Sequence, residues 1–428
     1  MFILPNLDDE QTIAIAEDQH SKEIANYLKT TNHSPESLAQ AFHNRGLAKF
    51  QRGDNLGAIA DIETALQWDG NFAPGYNNRG NIFQVLGRYT EAIADYNRSL
   101  EINPNFAQAY YNRGLVFCQL QEYQRAIADF NQALKLNPED VQAYCERGLI
   151  YSTLGDDQGA INDYNRALQI DPTLALVYSY RAREHHQLGN YEGAIKDYNQ
   201  ALQMNPRLAT AYYGRGMVRE AMQDLPRAID DHSQAIEIAP DFALAYLNRG
   251  NIHRLLGNLS AAIQDYNQAL KLDSNLLEAY YNRGSSHYIL QDFASAIADY
   301  NQALQLNPQL EILYSDRANA HYALGDYHSA IKDYNRAIAI NPNLAQDWFN
   351  RGRSHLLLQN LQPALQDLNQ ALQLQPRYAL AYLVRAHIQR NLNNDQKAIE
   401  DLQKSADLFY QEGNMQYYQE ILNLQRVR

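Results

Sequence analysis

The sequence predicts an all-α fold of eleven helix-turn-helix repeats, and three observations carry that expectation. Similar residues return every 34 positions from 39 to 412 without an insertion. Small and aromatic residues within each period recur at helical spacing. Gly or Pro closes most of the half-periods, as helix ends require. Repetition of this length marks architectures in which each element packs only on its neighbours, so 428 residues need not divide into separate globular cores.

The repeats start at residues 39, 73, 107, 141, 175, 209, 243, 277, 311, 345 and 379. Place 8 is always small, from Gly46 and Gly80 to Gly352 and Ala386, and place 20 is Ala in all eleven, from Ala58 to Ala398. Place 4 is aromatic throughout: Phe42, nine tyrosines from Tyr76 to Tyr382, and Trp348. In the stretch beginning at Ala107, Tyr110, Gly114 and Phe117 share one side of a first helix. A turn follows at place 15, which is Gly in six repeats, where a left-handed helix end suits Gly. The second helix carries a stripe such as Ala126, Phe130, Ala133 and Leu134, and Asn137-Pro138 ends it. Small residues at places 8, 20 and 27 let the two helices approach, and aromatics at places 4 and 24 fill the space around them.

The ends read as caps, which arrays need to hide their terminal apolar faces. Residues 1–38 form an N-terminal helical cap, in which a helix over 8–30 offers Ile13, Ile15, Ile24, Tyr27 and Leu28, and Phe2 to Leu4 are loose. Ser34-Pro35-Glu36 is an N-cap with Pro in the first turn, so the first helix begins just before residue 39. Residues 413–428 form a capping helix with Tyr417, Ile421 and Leu424 on one side.

This pattern resembles the tetratricopeptide repeat (TPR) family, in the form of bacterial, cyanobacterial-like arrays, over 374 of the 428 residues. The resemblance implies antiparallel helix pairs stacked into a right-handed α-α superhelix, with first helices lining a concave groove. It implies a non-catalytic protein-protein interaction scaffold that binds partner segments there. The alternatives are an assembly factor or chaperone for a multiprotein complex, or a non-catalytic subunit of a glycosyltransferase or secretion machine.

Composition agrees with that class. A net charge of −13 argues against nucleic-acid and anionic-membrane partners, which require positive surface. No run approaches 18 apolar residues, so no membrane insertion is expected. Two cysteines, Cys118 and Cys145, make no disulfide framework, and a reducing, cytoplasmic setting is expected. There is no dinucleotide or phosphate-binding glycine motif, no His-Glu-x-x-His and no nucleophile elbow, so no enzyme and no cofactor are expected. The place-11 histidines (His185, His253, His287, His321, His355) occur once per repeat, too far apart for one metal ion, and stand where Phe83, Phe117 and Tyr151 pack.

Two constellations remain. Place 7 is Arg and place 23 is Asp in every repeat, as in Arg79, Arg113 and Arg283 with Asp95, Asp129 and Asp299. Strict co-occurrence favours a structural ladder of ion pairs over an anion-binding surface. Place 6 carries Asn44, Asn78 and Asn112, lapses at Glu146, Tyr180 and Gly214, and returns as Asn248, Asn282 and Asn350 around Asp316. A row of amides can pair with an extended peptide backbone whatever its sequence. The row resembles the asparagine ladder of the TPR region in O-linked N-acetylglucosamine transferases, and its lapse predicts two binding segments. Tyr111, Arg254 and Arg353 flank it as expected contacts. The carboxylate clamp of Hsp70 and Hsp90 cochaperones needs Lys at place 5, which no repeat has, so that C-terminal tail is not the expected partner.

Overall fold

The computed structural model describes residues 10–29 and 34–426, with side chains described from 17–29 and 34–423. The expectations for Phe2 to Leu4, and for the side chains of Ile13, Ile15 and Leu424, lie outside the described residues. Twenty-four helices and no strand occur among the described residues. The chain divides into two compact units, Met1–Val218 and Arg219–Arg428. The division falls inside the sixth repeat, within the predicted lapse of the asparagine row.

A repeat is a first helix of thirteen residues and a second of fourteen, as in Ala107–Gln119 followed by Tyr123–Leu136, and only the outermost helices of the array, Pro35–Gln51 and Asp395–Gln411, are longer, at 17. The pairing follows from residue size. Ala at place 20 has no exposed surface in any repeat, from Ala58 to Ala398. At place 8, a Cβ on Gly80 would stand 2.7 Å from the Tyr96 ring, and one on Gly148 would stand 2.7 Å from that of Tyr164. The place-24 ring therefore lies flush on the first helix. At place 27, Ser99 and Ser405 replace Ala, and their buried hydroxyls donate to the carbonyls of Ala73 and Ala379 at 2.8 and 2.9 Å.

The turn between the helices is left-handed at place 15 in every repeat. Gly53, Gly87, Gly155, Gly189, Gly257 and Gly325 have φ of 72–82°, and Gln121, Gln223, Gln291, Gln359 and Asn393 have φ of 59–63°. The bonds are those of a Schellman ending: Arg88 N–H reaches Phe83 O at 2.8 Å, and Gly87 N–H reaches Gln84 O at 3.0 Å. In eight of the eleven repeats the second helix ends at Asn or Asp on place 31. There the side-chain oxygen accepts the N–H two residues on, as Asn103 does from Asn105 at 3.1 Å, which turns the chain into the next repeat.

The ends differ in part from expectation. Ser34 caps the helix Pro35–Gln51 by accepting from Ser37 N–H. In the helix Glu10–Lys29, Ile24 is buried, whereas Leu28 is 58% exposed. At the other end, Ile421 is fully buried and Tyr417 stacks on Phe409 with ring centres 4.9 Å apart.

Candidate functional site

The place-7 arginines turn inward along the helix interface. Arg113 grips Asp129 with two parallel bonds, Nε and Nη2 to the two carboxylate oxygens at 2.7 and 2.6 Å. Arg79 holds Asp95 and Arg283 holds Asp299 in the same way, at 2.5–2.9 Å. The aspartates are buried. The third arginine nitrogen, Nη1, reaches back to place 25 of the preceding repeat: Arg283 to Asn267 and Arg351 to Asn335 at 2.6 Å, Arg385 to Asn369 at 2.7 Å. One side chain thus ties three helices, and the place-4 ring lies against its guanidinium, 5.6 Å away for Tyr110 beneath Arg113. Paired bonding to buried Asp95 holds Arg79 further above its ordinary range. In the sixth repeat Asp231 also accepts from Arg219 at 2.7 Å.

The place-6 asparagines form a different arrangement from an open ladder. Asn112 is buried, and both its donor bonds end inside the scaffold, on Asn77 and Asn81 at 3.0 and 2.9 Å. Asn282 is buried and donates to Asn251 at 2.8 Å, and Asn350 donates to Asn319 at 3.2 Å. Asn78 pairs with His43 of the preceding repeat at 2.8 Å, and Asn44 accepts from Gln40 at 2.7 Å. Asn248 is half-buried and also has a partner. These amides therefore serve helix stacking first. What sequence reasoning missed is the acceptor at place 9. Asn81, Asn251 and Asn319 each receive the hydroxyl of the place-24 tyrosine, Tyr96, Tyr266 or Tyr334, at 2.6–2.9 Å. Each of these acceptors also takes the place-6 Asn of the next repeat. The signal was present, because Asn at place 9 is always followed by Asn at place 6 one repeat later.

Glu146 breaks this relay in the first unit. The place-9 residue before it is Leu115, which offers no amide. Glu146 instead lines a cavity of about 800 Å³ together with Tyr111, Cys118, Cys145, Leu176 and Tyr180. Burial raises its carboxyl above the ordinary value. Tyr111 is only 8% exposed, with one edge on this cavity and its ring tilted on Phe130. Both cysteines are free thiols, each pushed up to about 12 by burial first and by the Glu146 charge next. Their resting thiolate fraction is therefore small.

In the second unit Arg353 lies over Tyr322 and Phe349, 5.0 and 5.5 Å from the ring centres. Arg254 is half-buried beside the Tyr266 hydroxyl. Asp316 is held by Tyr281 and Asn319, so the apparent interruption of the asparagine row joins the same relay. Among the place-11 histidines, Nδ1 of His287 and of His321 stand 3.3 and 3.6 Å from Asp292 and Asp326 at the start of the following helix. Among the described residues, no group of three or more His, Cys, Asp or Glu is arranged to hold a metal ion, and no helix is long and apolar enough to cross a membrane.

A chain of helix pairs whose inner residues all serve stacking, and whose first-helix faces vary, has the build of an interaction scaffold. Profiles described as TPR repeat match residues 80–121, 114–155, 182–223 and 250–291. Profiles described as tetratricopeptide repeat match 141–174, 277–310, 312–344, 345–378 and 379–411. The chain belongs to the tetratricopeptide repeat family, whose members are in general non-catalytic protein-protein interaction scaffolds. Solved structures similar to it include YrrB, described as a TPR protein with an unusual peptide-binding site (23% identity, 43% of this chain and 95% of that one, TM-score 0.40). MamA is 27% identical over 38% of this chain and 96% of its own, with a TM-score of 0.36. A tetratricopeptide repeat protein from Parabacteroides merdae is 22% identical over 58% of this chain and 98% of its own, with a TM-score of 0.45. Comparison with curated proteins finds no match.

Proposed function

We propose that this protein is a non-catalytic scaffold that holds segments of partner proteins on the first-helix face of each of its two units. The observation that supports this reading most directly is the cavity at Glu146. It is an opening of about 800 Å³ formed by side chains of successive first helices, with polar and apolar groups side by side. The Arg–Asp–Asn bonds leave that face free to vary because they fix the stacking from behind. Two units, each with its own first-helix face, fit the expectation of two binding segments. A cytoplasmic location and the lack of any catalytic role belong to the same proposal.

Leu176 is 50% exposed at this face, so Leu176→Asp alters the surface without touching the buried bonds. Proteins co-purifying with the wild type are expected to be lost from Leu176→Asp but kept by Lys135→Ala with Arg166→Ala on exposed second-helix positions. Equal recovery from all three chains would sink the groove reading.

A further inference from the structure

Among the described residues, Glu146 is the only charged side chain lining the cavity of the first unit; no Lys, Arg or His stands with it. Nor, among those residues, is any bond donor or cation paired with its carboxylate, whereas Glu184, buried one repeat on, is held by Arg183 and Ser152 at 2.9 and 3.0 Å. A carboxylate drawn out of water without a partner among the described residues is costly, and a cation seated against it from a bound segment removes that cost. The walls are suited to a particular shape of cation. Leu115, Leu176 and Val177 offer apolar surface to a methylene stem, and Tyr111 and Tyr180 offer ring edges and faces near the charged end.

We propose that this cavity takes the lysine or arginine side chain of a bound partner segment, stem against the leucines and charged head on the Glu146 carboxylate. The inference rests on the groove reading above and adds the chemistry of the anchor. It also accounts for the sequence. The asparagine row lapses at Glu146 because this position receives a ligand's charge instead of a neighbour's amide.

The test uses a library of random dodecapeptides displayed on phage, selected against the wild-type chain and against Glu146→Gln, with folding of the variant checked by its melting temperature. Peptides enriched on the wild type are expected to carry Lys or Arg at one fixed position, and that preference is expected to vanish on Glu146→Gln. For a selected peptide, replacing that Lys or Arg by norleucine should weaken binding about tenfold in the wild type and hardly at all in Glu146→Gln, the pattern of a direct charge pair. Cys118 and Cys145 line the same cavity, so bound peptide should also slow their alkylation by iodoacetamide, read by mass spectrometry. Enriched peptides with no fixed basic position, or with one that Glu146→Gln leaves unchanged, would overturn the cation site while leaving the groove reading standing. Cysteines that stay unprotected by bound peptide would overturn the cation site as well. No enrichment at all would overturn both.

Discussion

At the scale of single residues, buried charge carries the largest consequences. Asp129 is 5% exposed and takes both bonds from Arg113, so Asp129→Asn leaves a half-buried guanidinium without its counter-charge. A loss of about 2 kcal/mol is expected, read from the urea midpoint, since bonds to charged groups are the strong ones. Arg113→Met with Asp129→Leu should cost less than the sum of the single changes. His232 supplies a second case. It stands at place 24, where neighbouring repeats have Tyr198 and Tyr266, with no exposed surface, and burial first, then Arg249, pushes it down to about 4. Between its unfolded value of 6.5 and that lowered value, the unfolded chain binds a proton that the folded one refuses. Stability is thus whole above pH 6.5 and falls as pH drops toward 4, by an amount on the order of 3 kcal/mol. His232→Tyr should flatten that part of the stability–pH curve, and an unchanged curve would show that His232 takes no part in it.

At the scale of the element, the turn at place 15 is the most exposed to test. Gln121, Gln223, Gln291 and Gln359 hold a left-handed φ that costs a side-chain-bearing residue roughly 1–2 kcal/mol, whereas Gly adopts it freely. Gln291→Gly is expected to raise stability by about 1 kcal/mol, despite the greater freedom Gly gives the unfolded chain, and Gly155→Gln to lower it by a similar amount. Paired melting curves decide both. The amide relay gives a further expectation. Asn251→Leu removes the acceptor shared by Tyr266 and Asn282, leaving buried donors unpaired, and should cost about 2 kcal/mol. Most of this level is legible in the sequence. Helix pairs, the place-15 turn and the Ser34 cap follow from size, Gly and capping residues. The asparagines depart from expectation: their periodicity is visible, but which side chain an amide bonds depends on the neighbour one repeat back. Asn at place 6 gains meaning only when read with Asn at place 9. Leu28 departs for a related reason, since periodicity marks an apolar position on a helix without telling whether anything packs on it.

At the scale of the molecule, each of these bonds joins a repeat to itself or to its neighbour. Disturbance should therefore stay local, as in arrays whose stability sums over neighbours. Hydrogen exchange of Asp129→Asn is expected to quicken in the second to fourth repeats and to remain at wild-type rates beyond Arg219. Spread of faster exchange through Arg219–Arg428 would contradict that. The proposed binding face is less legible than the scaffold because it has no period: Glu146 differs from its ten counterparts, and it lines a cavity that four repeats build together.

The arginine clasp also acts as a length gauge. Its carboxylate partner lies sixteen residues ahead and its amide partner sixteen behind, as Asp299 and Asn267 do for Arg283. Adding or removing one residue in the turn within a repeat throws off the first count, and in the turn between repeats the second, while copying a whole 34-residue segment preserves both. Such a chain keeps every clasp only when it lengthens or shortens in full 34-residue steps, and residues 39 to 412 run without an insertion.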